Sequence, residues 1–257
     1  MTESNKDKWV LKSGNKLFFC LLALFLCILA VLSVALRKER EMIRSIVLSV
    51  MCAVTTVGFF VYKYCLSIDD EYSLIRASKG MGEFNWLGEL PLHLCNINML
   101  FIPFAVLFRI RPLEAFCFFS APLGALIALI MPGKEFENFS LLLPRMIGFF
   151  GTHFMILIEG LAIVTFGLYR PVFSDVLPAL LTAVLILFCI SIINMLMRWT
   201  GLCPNANYFY SIETEGNYFL ELFHKWIPLP FLYMLPCIMI LAVYMVLFMG
   251  VYSIFSP

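Results

Sequence analysis

Charge is what this chain has least of. Only 14% of its 257 residues are Asp, Glu, Lys or Arg, against 62% hydrophobic, and the mean hydropathy is +0.93. A soluble domain carries about a quarter charged residues, so a water-facing globular fold is excluded and a multi-pass membrane protein is the class that fits. The formal net charge is +1, which excludes the strongly basic surface of a nucleic-acid binder. No Cys-x-x-Cys spacing occurs among the nine cysteines, so neither a zinc site nor a dithiol redox motif is supported. No metal and no cofactor is expected. Cys20, Cys27, Cys52, Cys117, Cys189 and Cys237 lie in apolar runs and read as small hydrophobes. Repeats of solenoid period and low-complexity tracts are also missing.

What remains is a series of apolar runs. Residues 1–16 form a polar N-terminal segment bearing Lys6, Lys8, Lys12 and Lys16. The run 17–36 is longer than a secretory h-region and ends in Arg37-Lys38-Glu39-Arg40 without a cleavage site, so it predicts a transmembrane helix rather than a signal peptide. Further helices are predicted over 43–62, from Pro91 to near Arg109, and over 113–131, 145–168, 175–197 and 228–248. The fold class is therefore all-α: one domain over 17–257, a bundle of about seven transmembrane helices. Pro91 suits a first helical turn, and Pro122 with Gly124 suggests a kink that packed neighbours tolerate. Long polar connections fall at 63–88, where Gly80-x-Gly82 suggests turns, at 132–144 and at 198–226. The short connections are basic (Arg37, Lys38, Arg40, Arg44; Arg109, Arg111; Arg170). The positive-inside rule puts them in the cytoplasm and the long connections on the outer side, of the cell membrane in a bacterium; the N-terminal lysines argue the other way.

One stretch breaks the apolar pattern. Residues 89–98 read Glu-Leu-Pro-Leu-His-Leu-Cys-Asn-Ile-Asn, which sets a carboxylate, an imidazole, a thiol and two amides at the mouth of a membrane segment. Polar groups are costly there and mark functional sites by default. Counting seven alternating helices puts Glu89, His93, Cys95, Asn96, Asn98, His153 and Asn194 in one half of the membrane, beneath the loop amides Asn205, Asn207 and Asn217. His153 lies about 12 Å in, at 1.5 Å per residue, and the other half holds almost nothing polar. On a helix His93 and Cys95 point to different faces, Cys95 sharing one with Asn98; an unwound segment after Pro91 relaxes that restriction. A thiol near a helix N-terminus gains from the dipole, and His153 is its candidate partner in a Cys–His pair. Plainer readings stand beside these: Cys95 as packing, His153 and Asn194 as interhelical hydrogen-bonders, and Glu159 as a protonated packing carboxyl, a proton acceptor or a supporting group.

Leu90-Pro91-Leu92-His93-Leu94-Cys95 resembles the signature of the YwaF-like integral membrane proteins, to which the animal transmembrane protein 164 acyltransferases are similar. His153, Asn194, the pair Asn207-Tyr208 and Trp226-Ile-Pro-Leu-Pro extend the likeness over roughly residues 40–250. The chain departs from the family pattern after Asn207-Tyr208, where Phe209-Tyr210-Ser211 stands in place of an early Lys-Pro. The resemblance implies transfer or hydrolysis of a lipid acyl group, with membrane lipids as donor and acceptor. It makes Cys95 the nucleophile of a thioester, His153 the general base, and His93 or Asn98 a positioning or oxyanion-binding group. The rival class is a seven-helix receptor or carrier with a polar ligand pocket. Against a receptor, Phe108-Arg109-Ile110 stands where Asp-Arg-Tyr is usual and the last helix lacks both Asn-Pro-x-x-Tyr and a lysine; against a carrier, there are no internal repeats.

Overall fold

In hydrocarbon a backbone satisfies its own N–H and C=O groups most simply as helix, and the apolar runs do so. The structure, a computed structural model, describes residues 9–78, 83–132, 136 and 139–255. Lys6, Lys8, Lys79, Gly80 and Gly82 lie outside the described residues. Nine α-helices follow in order among those residues: α1 (Lys16–Leu36), α2 (Glu41–Ser67), α3 (Asp70–Ser78), α4 (Leu94–Phe108), α5 (Arg111–Ile130), α6 (Pro144–Thr165), α7 (Val176–Trp199), α8 (Tyr218–Trp226) and α9 (Leu235–Phe255). Six of them, α1, α2, α5, α6, α7 and α9, are long and apolar enough to cross a membrane. The seventh apolar helix, α4, has 15 residues and spans only about 22 Å at 1.5 Å per residue.

Four helices make the centre. α2 packs on α4, α4 on α5, α5 on α6 and α6 back on α2, closing a ring. α7 leans on α5 and carries α9, while α1 reaches the ring through α6. Small residues let the ring close. A side chain at Gly160 would meet the Pro122 ring at 2.7 Å and the Ala121 methyl at 2.8 Å, so α6 and α5 approach closely there. Gly148 does the same for Tyr62 of α2. Ahead of α1, Val10 forms an isolated antiparallel bridge with Ser140 and Ser13 donates to the Leu129 carbonyl at 2.9 Å, tying the N-terminal segment to the bundle.

Boundaries differ from the sequence expectation by three residues or more at four helices, α6 ending at Thr165 instead of 168. α2 continues past Tyr62 to Ser67 because its buried stripe does, Tyr62 and Leu66 both facing inward. α4 begins at Leu94 with His93 as its N-cap, so Pro91 precedes the helix instead of sitting in its first turn. α9 begins at Leu235 and not at 228, because Pro228 and Pro230 disfavour helix in the residues before them and Phe231 adopts a left-handed φ of 65°. The long connections are also less irregular than expected. The first contains α3 and the last contains α8, which buries Leu220 and Phe223 against Tyr233 and exposes Tyr218, Phe219 and Trp226. A Gly160→Ala variant is expected to lose about 1–3 kcal/mol of stability through overpacking, read as a lowered melting temperature in detergent.

Candidate functional site

The segment between α3 and α4 is held by charge and by one phenol. Glu89 accepts from Lys63 of α2 at 2.6 Å and from Arg76 of α3 at 2.8 Å, all three side chains 12–14% exposed. The Tyr208 hydroxyl donates to the Leu87 carbonyl and accepts from the Leu90 N–H at 3.0 Å. Burial holds the Tyr208 phenol well above its usual value, so it remains a neutral donor. His93 ends the segment with its ring against Tyr208 at 5.3 Å and Tyr210 at 5.4 Å between centroids.

At His93 the chain turns from extended backbone (ψ 155°) into α4, and its carbonyl accepts the first helical bond from the Ile97 N–H at 2.9 Å. No side chain caps this helix. The Leu94, Cys95 and Asn96 N–H groups therefore have no hydrogen-bond partner among the described residues, as the first turn of an uncapped helix leaves them. Cys95 sits in that turn with its thiol against α5. A methyl group on Gly124 would lie 3.1 Å from its Sγ, so the glycine that reads as a kink also makes room for the thiol. Asn96 Oδ1 is buried without a hydrogen bond among the described residues.

His153 is 8% exposed on the inner face of α6. Its Nδ1 lies 2.7 Å from the Phe149 carbonyl, which can only accept. Nδ1 thus carries the proton, and in neutral imidazole Nε2 keeps the lone pair of a base. No hydrogen bond joins His153 to Cys95 among the described residues. Each of the four ring helices brings one group to this end: Lys63 from α2, Cys95 from α4, Gly124 from α5 and His153 from α6.

The remaining sequence candidates divide by what they touch. Asn98 is fully buried; its Nδ2 donates to Leu94 O at 2.7 Å and its Oδ1 accepts from Ser120 at 3.0 Å, which joins α4 to α5. Asn194, also fully buried, pairs reciprocally with Tyr208: Nδ2 donates to Tyr208 O at 2.8 Å and Oδ1 accepts from Tyr208 N–H at 3.0 Å. It also donates to Ser211 Oγ at 3.0 Å. Asn207 serves its own turn, bonded to Ile212, Glu213 and Glu215. Glu159 is fully buried between α6 and α2, bonded to the Thr55 hydroxyl beside Cys52. Thr55 also lies 3.1 Å from Met51 O, and its single proton serves one of the two acceptors. A protonated Glu159 completes the chain from carboxyl to hydroxyl to carbonyl.

The opposite end of the bundle is less bare than expected. Asp175 and Glu114 are buried there. Asp175 accepts from Arg111 at 2.7 and 2.8 Å, from Tyr169 at 2.7 Å and from Val172 N–H at 3.0 Å. Both carboxylates lie near helix N-termini, where negative charge is favoured, and they read as fastenings. Sequence reasoning did not single out Lys63, which it placed just past the end of a helix, nor Thr55 and Ser120. It also passed over Arg145, whose buried guanidinium lies 4.2 Å over the Phe139 ring and donates to Glu71 at 3.1 Å. The available signal was the pairing of a lysine four residues after Phe59 with an acidic residue at the head of the next apolar run.

These helices define an all-α, multi-pass integral membrane protein. The TMEM164 family model matches residues 12–249, and the chain belongs to that family. No curated protein and no solved structure matches it.

The Asn194–Tyr208 pair holds the last long loop against the 87–93 segment. An Asn194→Ala change leaves the Tyr208 main chain unpaired in the core and is expected to cost about 1–3 kcal/mol. Hydrogen exchange of residues 207–211 is expected to quicken while that of α5 and α6 stays unchanged.

Proposed function

We propose that this protein is a membrane-embedded lipid acyltransferase, or a lipid hydrolase, that works through a Cys95 thioester. The observation that carries the reading is the first turn of α4. It joins a thiol to three N–H groups that have no hydrogen-bond partner among the described residues, in the half of the bundle where an imidazole base is fixed in one tautomer by Phe149.

In the forward step His153 Nε2 takes the thiol proton, and the sulfur attacks the ester carbonyl of a membrane lipid. The developing oxyanion is met by the free N–H groups of the α4 first turn, whose dipole favours negative charge. The carbon–oxygen bond then breaks, His153 returns its proton to the departing lysolipid oxygen, and the acyl chain remains on sulfur as a thioester. In the second step an acceptor hydroxyl gives its proton to His153 and attacks the thioester, so the thiolate leaves and is reprotonated. Water as acceptor makes the reaction a hydrolysis; a dry acyl layer favours transfer. The thiol and imidazole are not hydrogen-bonded at rest, and catalytic contacts of this kind commonly tighten only when substrate is bound. His93, packed between Tyr208 and Tyr210, and Asn98, which fixes α4 on α5, are positioning residues on this reading. Glu89, Asn194, Asn207 and Tyr208 hold the loops that roof the site, and Glu159 braces α2 against α6.

Intact-mass spectrometry after incubation with native phospholipids is expected to find one acyl adduct, on Cys95. The Cys95→Ala protein is expected to carry no adduct and to turn over no lipid while expressing normally. His153→Gln is expected to slow adduct formation by about 10²–10⁴-fold, the usual contribution of a general base. An adduct on the Cys95→Ala protein, or unchanged lipid turnover, sinks the mechanism. Ligand binding without turnover, indifferent to Cys95→Ser, favours a receptor or carrier.

A further inference from the structure

Glu89 is shared between two cations, Lys63 at 2.6 Å and Arg76 at 2.8 Å. The Lys63 ammonium has three donors and gives one to Glu89 Oε2. The other two have no hydrogen-bond partner among the described residues. They are not released into bulk water either: the side chain is 14% exposed, and Nζ lies 5.4 Å and 5.1 Å from the Phe59 and Tyr62 ring centroids. A half-desolvated ammonium with spare donors is an anion site awaiting its anion.

The surroundings of that ammonium narrow the anion. Lys63 lies four residues before the end of α2, about 6 Å at 1.5 Å per residue, which is headgroup depth for a helix that crosses the bilayer. Its partner Glu89 lies four residues before His93, the N-cap of α4, so an anion held there lies at the segment that leads into that helix. A glycerophospholipid joins a phosphate to its acyl esters through a three-carbon glycerol, so a phosphate at Lys63 leaves its esters within a few bonds of the segment that ends at the first turn of α4.

We propose that Lys63 is the phosphate-binding residue for a glycerophospholipid, and that Glu89 is an internal carboxylate with which the phosphate competes. This rests on the acyl-transfer reading for its location but not for its test. Without lipid, Glu89 occupies one donor and keeps the cations apart; with lipid, the phosphate takes the two spare donors. Arg76 holds Glu89 from the other side and keeps the roof closed.

The test reads binding, not chemistry, in the full-length protein carrying Cys95→Ala, by native mass spectrometry in detergent. The probes are dioctanoyl-glycerophosphocholine, dioctanoylglycerol and inorganic phosphate. Lys63→Met is expected to weaken the phospholipid about tenfold (~1.4 kcal/mol) and to leave dioctanoylglycerol unchanged, while Lys63→Arg keeps the phospholipid preference. Glu89→Gln is expected to tighten the phospholipid several-fold, because it removes the competing charge; a purely structural ion pair predicts the reverse. Equal losses for both lipids in Lys63→Met overturn the proposal, as does no loss for either. Weakened phospholipid binding in a folded Glu89→Gln protein overturns it too. Inorganic phosphate bound through Lys63 as tightly as the phospholipid assigns the site to the free anion and removes the lipid from it. These results stand apart from whether Cys95 of the unaltered protein accepts an acyl group, so either proposal can fail alone.

Discussion

A side-chain amide can imitate a strand. Asn194 faces the Tyr208 main chain with one donor and one acceptor, and the two bonds it makes at 2.8 and 3.0 Å are those an antiparallel neighbour would make. The arrangement around α4 depends on this pair. It fixes the chain where Phe209 and Tyr210 adopt consecutive left-handed conformations, φ 60° and 53°, each of which costs about 1–3 kcal/mol in a residue other than glycine. With that turn held, the Tyr208 ring reaches Leu87 and Leu90, and His93 is fixed between two phenol rings. A core asparagine on α7 thereby positions, through Tyr208, the segment that leads into α4.

The rest of the polar layer follows from the cost of unpaired groups away from water. Glu89 faces two cations, Asn98 bridges α4 to α5, and Glu159 bridges α6 to α2. The two amide and carboxyl bridges, Asn98 and Glu159, connect helices that the ring of α2, α4, α5 and α6 already brings together, whereas Glu89 ties the segment before α4 to α2 and α3. The atoms that remain unpaired are therefore informative. Arg44 Nε, at the opposite end, and Glu159 Oε2, inside α6, are two of them; the first N–H groups of α4, Asn96 Oδ1 and the spare donors of Lys63 lie at the end where α4 begins.

Much of this was legible in the chain. Composition and run length gave the all-α membrane architecture, because the hydrocarbon layer leaves few alternatives. The shared depth of Glu89, His93, Cys95, His153 and Asn194 follows from counting helix ends. Lys63 escaped because a lysine closing an apolar run looks like the end of a helix; only the fold brings Glu89, 26 residues on, within 2.6 Å of it. The partner of Asn194 was hidden for another reason. It is main chain, and a backbone amide has no residue type by which to recognise it. Helical phase separates His93 from Cys95 only if both are helical; the alternative, an unwound segment after Pro91, is what the structure has, with His93 the last extended residue before α4.

The brevity of α4 has a consequence for any lipid that reaches it. A helix of about 22 Å in a hydrocarbon layer of about 30 Å cannot have both ends at the surface, so at least one end lies below it, and on the proposed reading that is the end bearing Cys95. The esters of a bilayer lipid already reside at that boundary between headgroups and chains. On the proposed reading the protein carries its thiol down to the depth of the bond instead of hauling the lipid up, and both acyl tails can remain among their neighbours throughout the exchange. Extraction from the leaflet, which would expose some thirty methylene groups at about 0.8 kcal/mol each, is a barrier this arrangement never has to cross.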